Sequence, residues 1–201
     1  MHGLIVMSHP LPESLTGAVA RQLAAGLEQS GHSFELADLS AERFDPRFSA
    51  EDVAVHLRQA VVDPVVAAEQ ARIERADALI LVYPVYWWSF PALLKGWIDR
   101  VFVNGWAYEE MPDGRIVRKL GHLPIHLVAI GGADLRTYAR HGYFGAMRTQ
   151  IEHGIFGYCG APVRGSALLV PGEVQDAAGM LAAAERIGRA VFEASPAARA
   201  A

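Results

Sequence analysis

Five short apolar runs recur along this chain, most of them followed by a stretch of helical periodicity, and that alternation leaves little choice of architecture. The runs are GLIVMS (Gly3–Ser8), SFELADL (Ser33–Leu39), ALILVY (Ala78–Tyr83), PIHLVAIGG (Pro124–Gly132) and VRGSALLV (Val163–Val170). Between them, Leu15, Val19, Leu23 and Leu27 mark one face of a helix from about Ser14 to Ser30, with Gly31 as its stop. EQARIERA (Glu69–Ala76) is a second helix, and Leu93, Leu94, Trp97, Ile98, Val101 and Phe102 give the inner face of a third, with Lys95 and Asp99 as an exposed pair. Gly145–Ile155 fits a fourth. Val174–Glu193 fits a last, with Met180, Ala184, Ile187 and Val191 inward. GWAYEEMPDGRIVRKLGH (Gly105–His122) reads as a small hairpin around Asp113-Gly114. The expectation is an α/β three-layer sandwich around a five-stranded parallel sheet, with ligands at the carboxyl ends of the strands.

The 201 residues suit one domain spanning 1–201, with an Ala-rich flexible tail expected over 195–201. A composition 52% hydrophobic and 20% charged, with a net charge of −4, is that of a globular protein and offers no basic surface for nucleic acid. Cys159 has no partner for an intrachain disulfide, and MHGLIVMSHP lacks the pattern of a signal peptide, so a cytoplasmic location is expected. The longest uncharged stretch, Ala78 to Leu94, is 17 residues long and interrupted by Pro84 and Pro91. A spanning helix needs about 20 residues, so this stretch is better parsed as a buried strand, an aromatic loop and a helix with Pro91 in its first turn.

Three loops follow strands one, three and four. In His9–Thr16, Ser14 and Thr16 stand where a helix begins, which suits either an ordinary N-cap or a phosphate held by free N–H groups. In Pro84–Phe90, the dense aromatics fit a stacking wall for a planar ligand, a core plug or a subunit contact. In Gly131–Tyr143, the Gly131-Gly132 pair fits either a plain turn or close backbone approach to a ligand, and Tyr138 and His141 are candidate proton or hydrogen-bond donors. Together they describe a phosphate anchor beside a slot for a flat ring system, the shape of a flavin. No metal site is expected: His122 and His126 have helical zinc spacing, but Pro124 lies between them and the segment runs into a strand. No GxSxG elbow, Walker loop or GxGxxG occurs.

His9-Pro10 with Ser14, the run YPVYWWSFPALLKGWIDRVFVNGWAY, AIGG, and HGIFGYCGAPV make the chain resemble the flavodoxin-like NAD(P)H:quinone oxidoreductases, the DT-diaphorase family, over roughly Gly3 to Phe192. The shorter bacterial members, among them ancillary oxidoreductases of potassium-efflux systems, are the nearest in pattern. The resemblance implies a flavodoxin-like fold in which His9, Ser14, Leu15 and Thr16 hold the flavin phosphates. It implies further that Pro84, Val85, Tyr86, Trp87 and Trp88 line one side of the ring, and that Ala129, Ile130, Gly131 and Gly132 close the other. Tyr138 matches the tyrosine that assists hydride transfer. FMN is favoured by the shorter chain, and FAD stays open because His9 and Thr16 are positions that FAD-binding members use.

Departures from the family pattern are Ala129-Ile130 in place of Thr-Thr, Tyr86 in place of Gln, and Phe144 where animal members carry a His that assists the tyrosine. The implied activity is a ping-pong exchange in which NAD(P)H and then a quinone, or a similarly flat electrophile, use one slot on a homodimer. The aromatic surplus around Trp87, Trp88, Trp106 and Tyr108 suits that dimer. Two other roles are compatible with the residues: a flavin-carrying regulatory subunit docked on a membrane transporter, and an electron-transfer flavodoxin, against which the modest net charge argues.

Overall fold

A computed structural model describes residues 1–170 and 176–193. Five parallel strands, β1 (His2–Met7), β2 (Ser33–Asp38), β3 (Ala78–Pro84), β6 (Ile125–Ile130) and β7 (Val163–Leu169), form one sheet in the order β2-β1-β3-β6-β7. β4 (Tyr108–Glu110) and β5 (Ile116–Arg118) pair antiparallel across the expected Asp113-Gly114 turn. All seven residues of β3 are buried, as a central strand covered on both faces requires. The strand order is that of a flavodoxin-like α/β fold, and the five strand positions follow the apolar runs to within a residue or two.

Side chains alternate between two cores. Leu79, Leu81 and Tyr83 point to one that holds α3 (Pro64–Glu74), α4 (Ala92–Val101) and a later helical segment, while Ile80 and Val82 point to the other, under α1 (Leu15–Gln29) and α7 (Ala177–Ala190). Gly26 and Gly188 let α1 and α7 pack backbone to backbone: a Cβ on Gly26 would meet the Glu185 carbonyl at 2.2 Å, and one on Gly188 the Leu23 carbonyl at 2.1 Å. On α4, Leu94, Trp97, Ile98 and Val101 are buried, and Lys95 and Asp99 make the expected surface ion pair at 2.7 Å.

Several elements differ from the expectation. α2 (Ala50–His56) was not foreseen; it is held by a capping box between Ser49 and Asp52 and pinned to α4 by the Arg100–Asp52 pair at 3.2 Å. α3 begins at Pro64, five residues before the apolar pattern suggested, because Asp63 caps Val65 N–H and Pro64 suits the first helical position. The Gly131–Tyr143 stretch is not all loop, since Asp134 caps Thr137 and starts α5 (Leu135–His141), which ends at Gly142 with φ +71°.

The helix expected over Gly145–Ile155 is a short α6 (Tyr143–Met147) that continues as a π-helix from Arg148 to Gly157. The residues that segment buries, Ile151 and Phe156, are five apart. On an α-helix they would diverge by about 140°, whereas i→i+5 winding brings them to one side. The expected start of the last helix at Val174 and the tail over 195–201 lie outside the described residues. Among the described residues no helix is long and apolar enough to cross a membrane.

Candidate functional site

The sheet reverses direction of growth at β1: the chain goes from β1 outward to β2, then back past β1 to β3 and on to β6 and β7. Ligand crevices in such sheets lie outside the carboxyl ends of the strands flanking the reversal. β1 and β3 are in register from Gly3↔Ala78 to Met7↔Val82, so the loops leaving them start side by side.

After β3, Tyr86 and Ser89 exchange backbone hydrogen bonds of 3.1 and 3.0 Å, closing a two-residue turn whose corners are Trp87 and Trp88. Their φ values are +50° and +60°. Tight hairpins of this type favour Asn-Gly because both corners need positive φ. Two tryptophans there store roughly 1–3 kcal/mol of strain each, which the surroundings must hold in place. The Trp88 indole is held on two sides, flat on Tyr143 with ring centroids 3.6 Å apart and edge-on to Tyr138 at 5.1 Å. Ser89 Oγ donates to Gln150 Oε1 at 2.6 Å, tying the turn to the π-helix. Trp87 has no such support and is 93% exposed.

Across from the turn, Tyr138 on α5 is 1% exposed and tucks its hydroxyl over Gly131, where a Cβ would stand 2.5 Å from it. Gly131 is therefore required by close approach. Burial raises the Tyr138 pKa above its ordinary value, so the hydroxyl stays protonated and available as a donor. Val85, Trp87, Trp88, Gly132, Ala133 and Tyr138 line a common pocket of about 180 Å³. The N–H groups of Trp87, Trp88 and Gly132 make no hydrogen bond among the described residues, while Val85 N–H is taken by Ile130 O and Gly131 N–H by Leu169 O, both at 2.8 Å.

After β1, Ser14 caps α1 by accepting from Gly17 N–H at 3.1 Å. The N–H groups of Leu15 and Thr16 at the same helix start make no hydrogen bond among the described residues. His9 Nδ1 accepts from Leu11 N–H at 3.0 Å, which shapes the Pro10–Pro12 loop, and its Nε2 makes no hydrogen bond among the described residues.

The structure thus brings Val85, Trp87, Trp88, Gly132 and Tyr138 around one pocket, and the His9–Thr16 loop leaves the strand next to β3. Other candidates lie differently. Ala129 packs in the core on the face of the sheet that carries α3, α4 and the π-helix, Ile130 packs toward α1 and α7, and His141 is exposed and stacked on Tyr143 at 5.3 Å. Trp106 and Tyr108 are engaged within the chain, Trp106 donating to Glu74 at 2.8 Å and Tyr108 lying 3.4 Å from His56 Nδ1. Sequence reasoning missed Tyr143 and Gln150, the residues that brace the turn. Tyr143 directly follows a helix-stopping glycine, and that was the one local sign of it.

The residues fit a flavin by the chemistry of the donor set: unpaired backbone N–H groups on both sides of a slot walled by indole and phenol, and an anion-accepting helix start one strand away.

A family model described as flavodoxin-like fold matches residues 1–191. The chain is 29% identical over 205 residues to a ribosyldihydronicotinamide dehydrogenase (quinone) of Pongo abelii, covering 90% of this chain and 87% of that one. An NAD(P)H:quinone oxidoreductase from Methanothermobacter marburgensis superposes with a TM-score of 0.83 at 27% identity, covering 95% of this chain and 98% of that one. A general stress protein 14 of Treponema denticola, solved in complex with FMN, superposes with a TM-score of 0.61 at 25% identity, with 94% of each chain covered.

Proposed function

The chain belongs to the Flavodoxin_2 family of flavodoxin-like fold, and on that premise we propose that it is a flavin-dependent NAD(P)H oxidoreductase that reduces quinones and similarly flat electrophiles. The observation that carries the reading is the strained Trp87-Trp88 turn facing Gly132 and Tyr138 across one pocket at the strand-reversal crevice. The names of the relatives, quinone-linked dehydrogenases, support the substrate class, and the FMN complex of the Treponema denticola protein supports FMN as the cofactor.

When bound, a flavin supplies the hydride acceptor and donor. The chain's part is to hold and orient. Leu15 and Thr16 N–H groups, with the Ser14 and Thr16 hydroxyls and His9, would take the phosphate; Trp87, Trp88 and Gly132 N–H groups would meet the polar edge of the ring. Tyr138 keeps its proton at Oη and offers it to negative charge developing beside Gly131. Trp88 and Tyr143, stacked together, exclude water from one side. NAD(P)H and the acceptor would use this one slot in turn, which would give ping-pong order.

Exposed Trp87, Tyr86 and Phe144 form an apolar rim that fits burial in a homodimer. Docking on a transporter has no observation among the described residues in its favour.

The test is the initial-velocity pattern with NADPH and a benzoquinone as varied substrates. Parallel double-reciprocal lines support one shared slot; intersecting lines would mean that both substrates bind together and would refute it.

A further inference from the structure

A cavity of about 490 Å³ adjoins the aromatic-turn pocket, on the face of the sheet that carries α3, α4 and the π-helix. Its floor includes Tyr83, Ala129 and Leu168, which are neighbours across the sheet and each stand one residue before the end of their strand. β3 and β6 run on from there into Val85 and Gly132 of the aromatic-turn pocket, so the two hollows meet at the strand ends. From Ala129 and Leu168 the cavity reaches back to Leu127 and Ser166, the pair two residues earlier in the same strands. Ser166 is exposed on the edge strand, so the far end reaches solvent.

Phe144 links the two. Its ring lies on Tyr138 at 5.4 Å, and it lines the cavity together with Leu135, Met147 and Ile151. Ala129 and Phe144 are also two of the positions at which the sequence departs from the family pattern, each toward an apolar side chain. The two charged lining residues, Arg148 and Glu152, pair with one another at 3.4 Å and leave no uncompensated charge for an ionic ligand. The outer wall is the ten-residue π-helix, a winding that is rare, mostly confined to single turns and frequent at functional sites. The volume is within the range of about 300–1,000 Å³ usual for small-molecule sites. A mainly apolar, charge-compensated hollow beside a redox pocket suits a hydrocarbon substituent on the molecule that is reduced there.

On the oxidoreductase reading, we propose that the acceptor is a quinone carrying a long apolar side chain, its ring in the redox pocket and its side chain in this cavity. NADPH gives up a hydride and becomes NADP+; the quinone takes that hydride and a proton and leaves as the quinol, the side chain unchanged. Each methylene moved out of water is worth about fourfold in affinity, so burial of the side chain decides which quinones bind well.

Steady-state kinetics of the FMN-reconstituted protein with NADPH and two quinones tests it: decylubiquinone, and the same ring without its decyl chain, each below its solubility limit. The decyl compound should show a KM lower by about tenfold or more. Ser166→Phe from the edge strand and Met147→Phe from the opposite wall each fill the cavity. Each should bring the ratio of kcat/KM for the two quinones down toward one, and turnover of the chain-free quinone shows that a variant is folded. Equal KM values in the wild type, or a decyl preference that both variants keep, would overturn the inference and leave the oxidoreductase reading in place. Failure of the wild type to reduce either quinone would overturn both.

Discussion

The Trp88 indole lies flat on the Tyr143 ring, 13° from parallel with centroids 3.6 Å apart. Tyr143 therefore braces a turn whose corner residues both have positive φ. An aromatic pair of this kind contributes about 0.5–1.5 kcal/mol beyond its area burial. Tyr143→Ala should lower stability by about that amount, red-shift the Trp88 fluorescence and weaken flavin binding several-fold. A fluorescence titration of the variant with FMN checks this.

Replacing Trp87-Trp88 by Asn-Gly should act in the opposite direction on stability. Both new residues accept positive φ, so the strain of the turn is relieved and urea denaturation should show a gain of about 1–2 kcal/mol, less whatever packing the Trp88 indole supplied. The same variant should lose most of its affinity for flavin, because the stacking surface is gone. A variant that is more stable and binds as before would remove the two indoles from the site.

Gly131→Ala places a methyl 2.5 Å from Tyr138 Oη and 2.8 Å from Val170 Cγ1. Overpacking of that size costs about 1–3 kcal/mol and displaces the hydroxyl. Flavin reduction by NADPH in a single turnover should slow. Tyr138→Phe should slow it as well, without altering flavin affinity, since the phenol is assigned a proton and not a binding contact. Unchanged stopped-flow rates in Tyr138→Phe would take the residue out of the mechanism.

His126 gives the fold a pH dependence of its own. It is buried in β6 with Nε2 unpartnered, and burial lowers its pKa from the ordinary 6.5 to about 4. Between those values the unfolded chain takes up a proton that the folded chain refuses, so stability falls as pH drops through the window and levels off below it. The loss attributable to this group is about 3 kcal/mol at most. His126→Leu should flatten the stability profile between pH 6.5 and 4 in urea melts; an equally steep profile would assign the acid sensitivity elsewhere.

The sheet was legible because burial on both faces leaves a plain record: ALILVY admits no charged residue and is the central strand. The Ser14 cap, the Lys95–Asp99 pair and the Asp113-Gly114 turn are local chemistry and were equally readable. The lining of the pocket after β3 was legible in its parts, through Val85, Trp87, Trp88, Gly132 and Tyr138. What escaped depends on contacts between distant segments. Tyr143 meets Trp88 and Gln150 meets Ser89 only after α5 and the π-helix fold back over the sheet. Over Gly145–Ile155 the sequence shows only a helix, and packing alone reveals the π winding that makes Phe156 the buried partner of Ile151. α2 escaped because its capping box uses Asp52 where Glu or Gln is the usual sign.

The central claim, that the aromatic turn and the Gly131–Tyr138 wall hold a redox-active flavin, is tested most directly by the visible spectrum of the purified protein, reconstituted with FMN, before and after anaerobic NADPH. The account predicts flavin bands that bleach to the two-electron reduced form and return on adding a quinone. A protein that stays colourless after reconstitution with FMN or FAD, or a bound flavin that NADPH leaves oxidised, would contradict it.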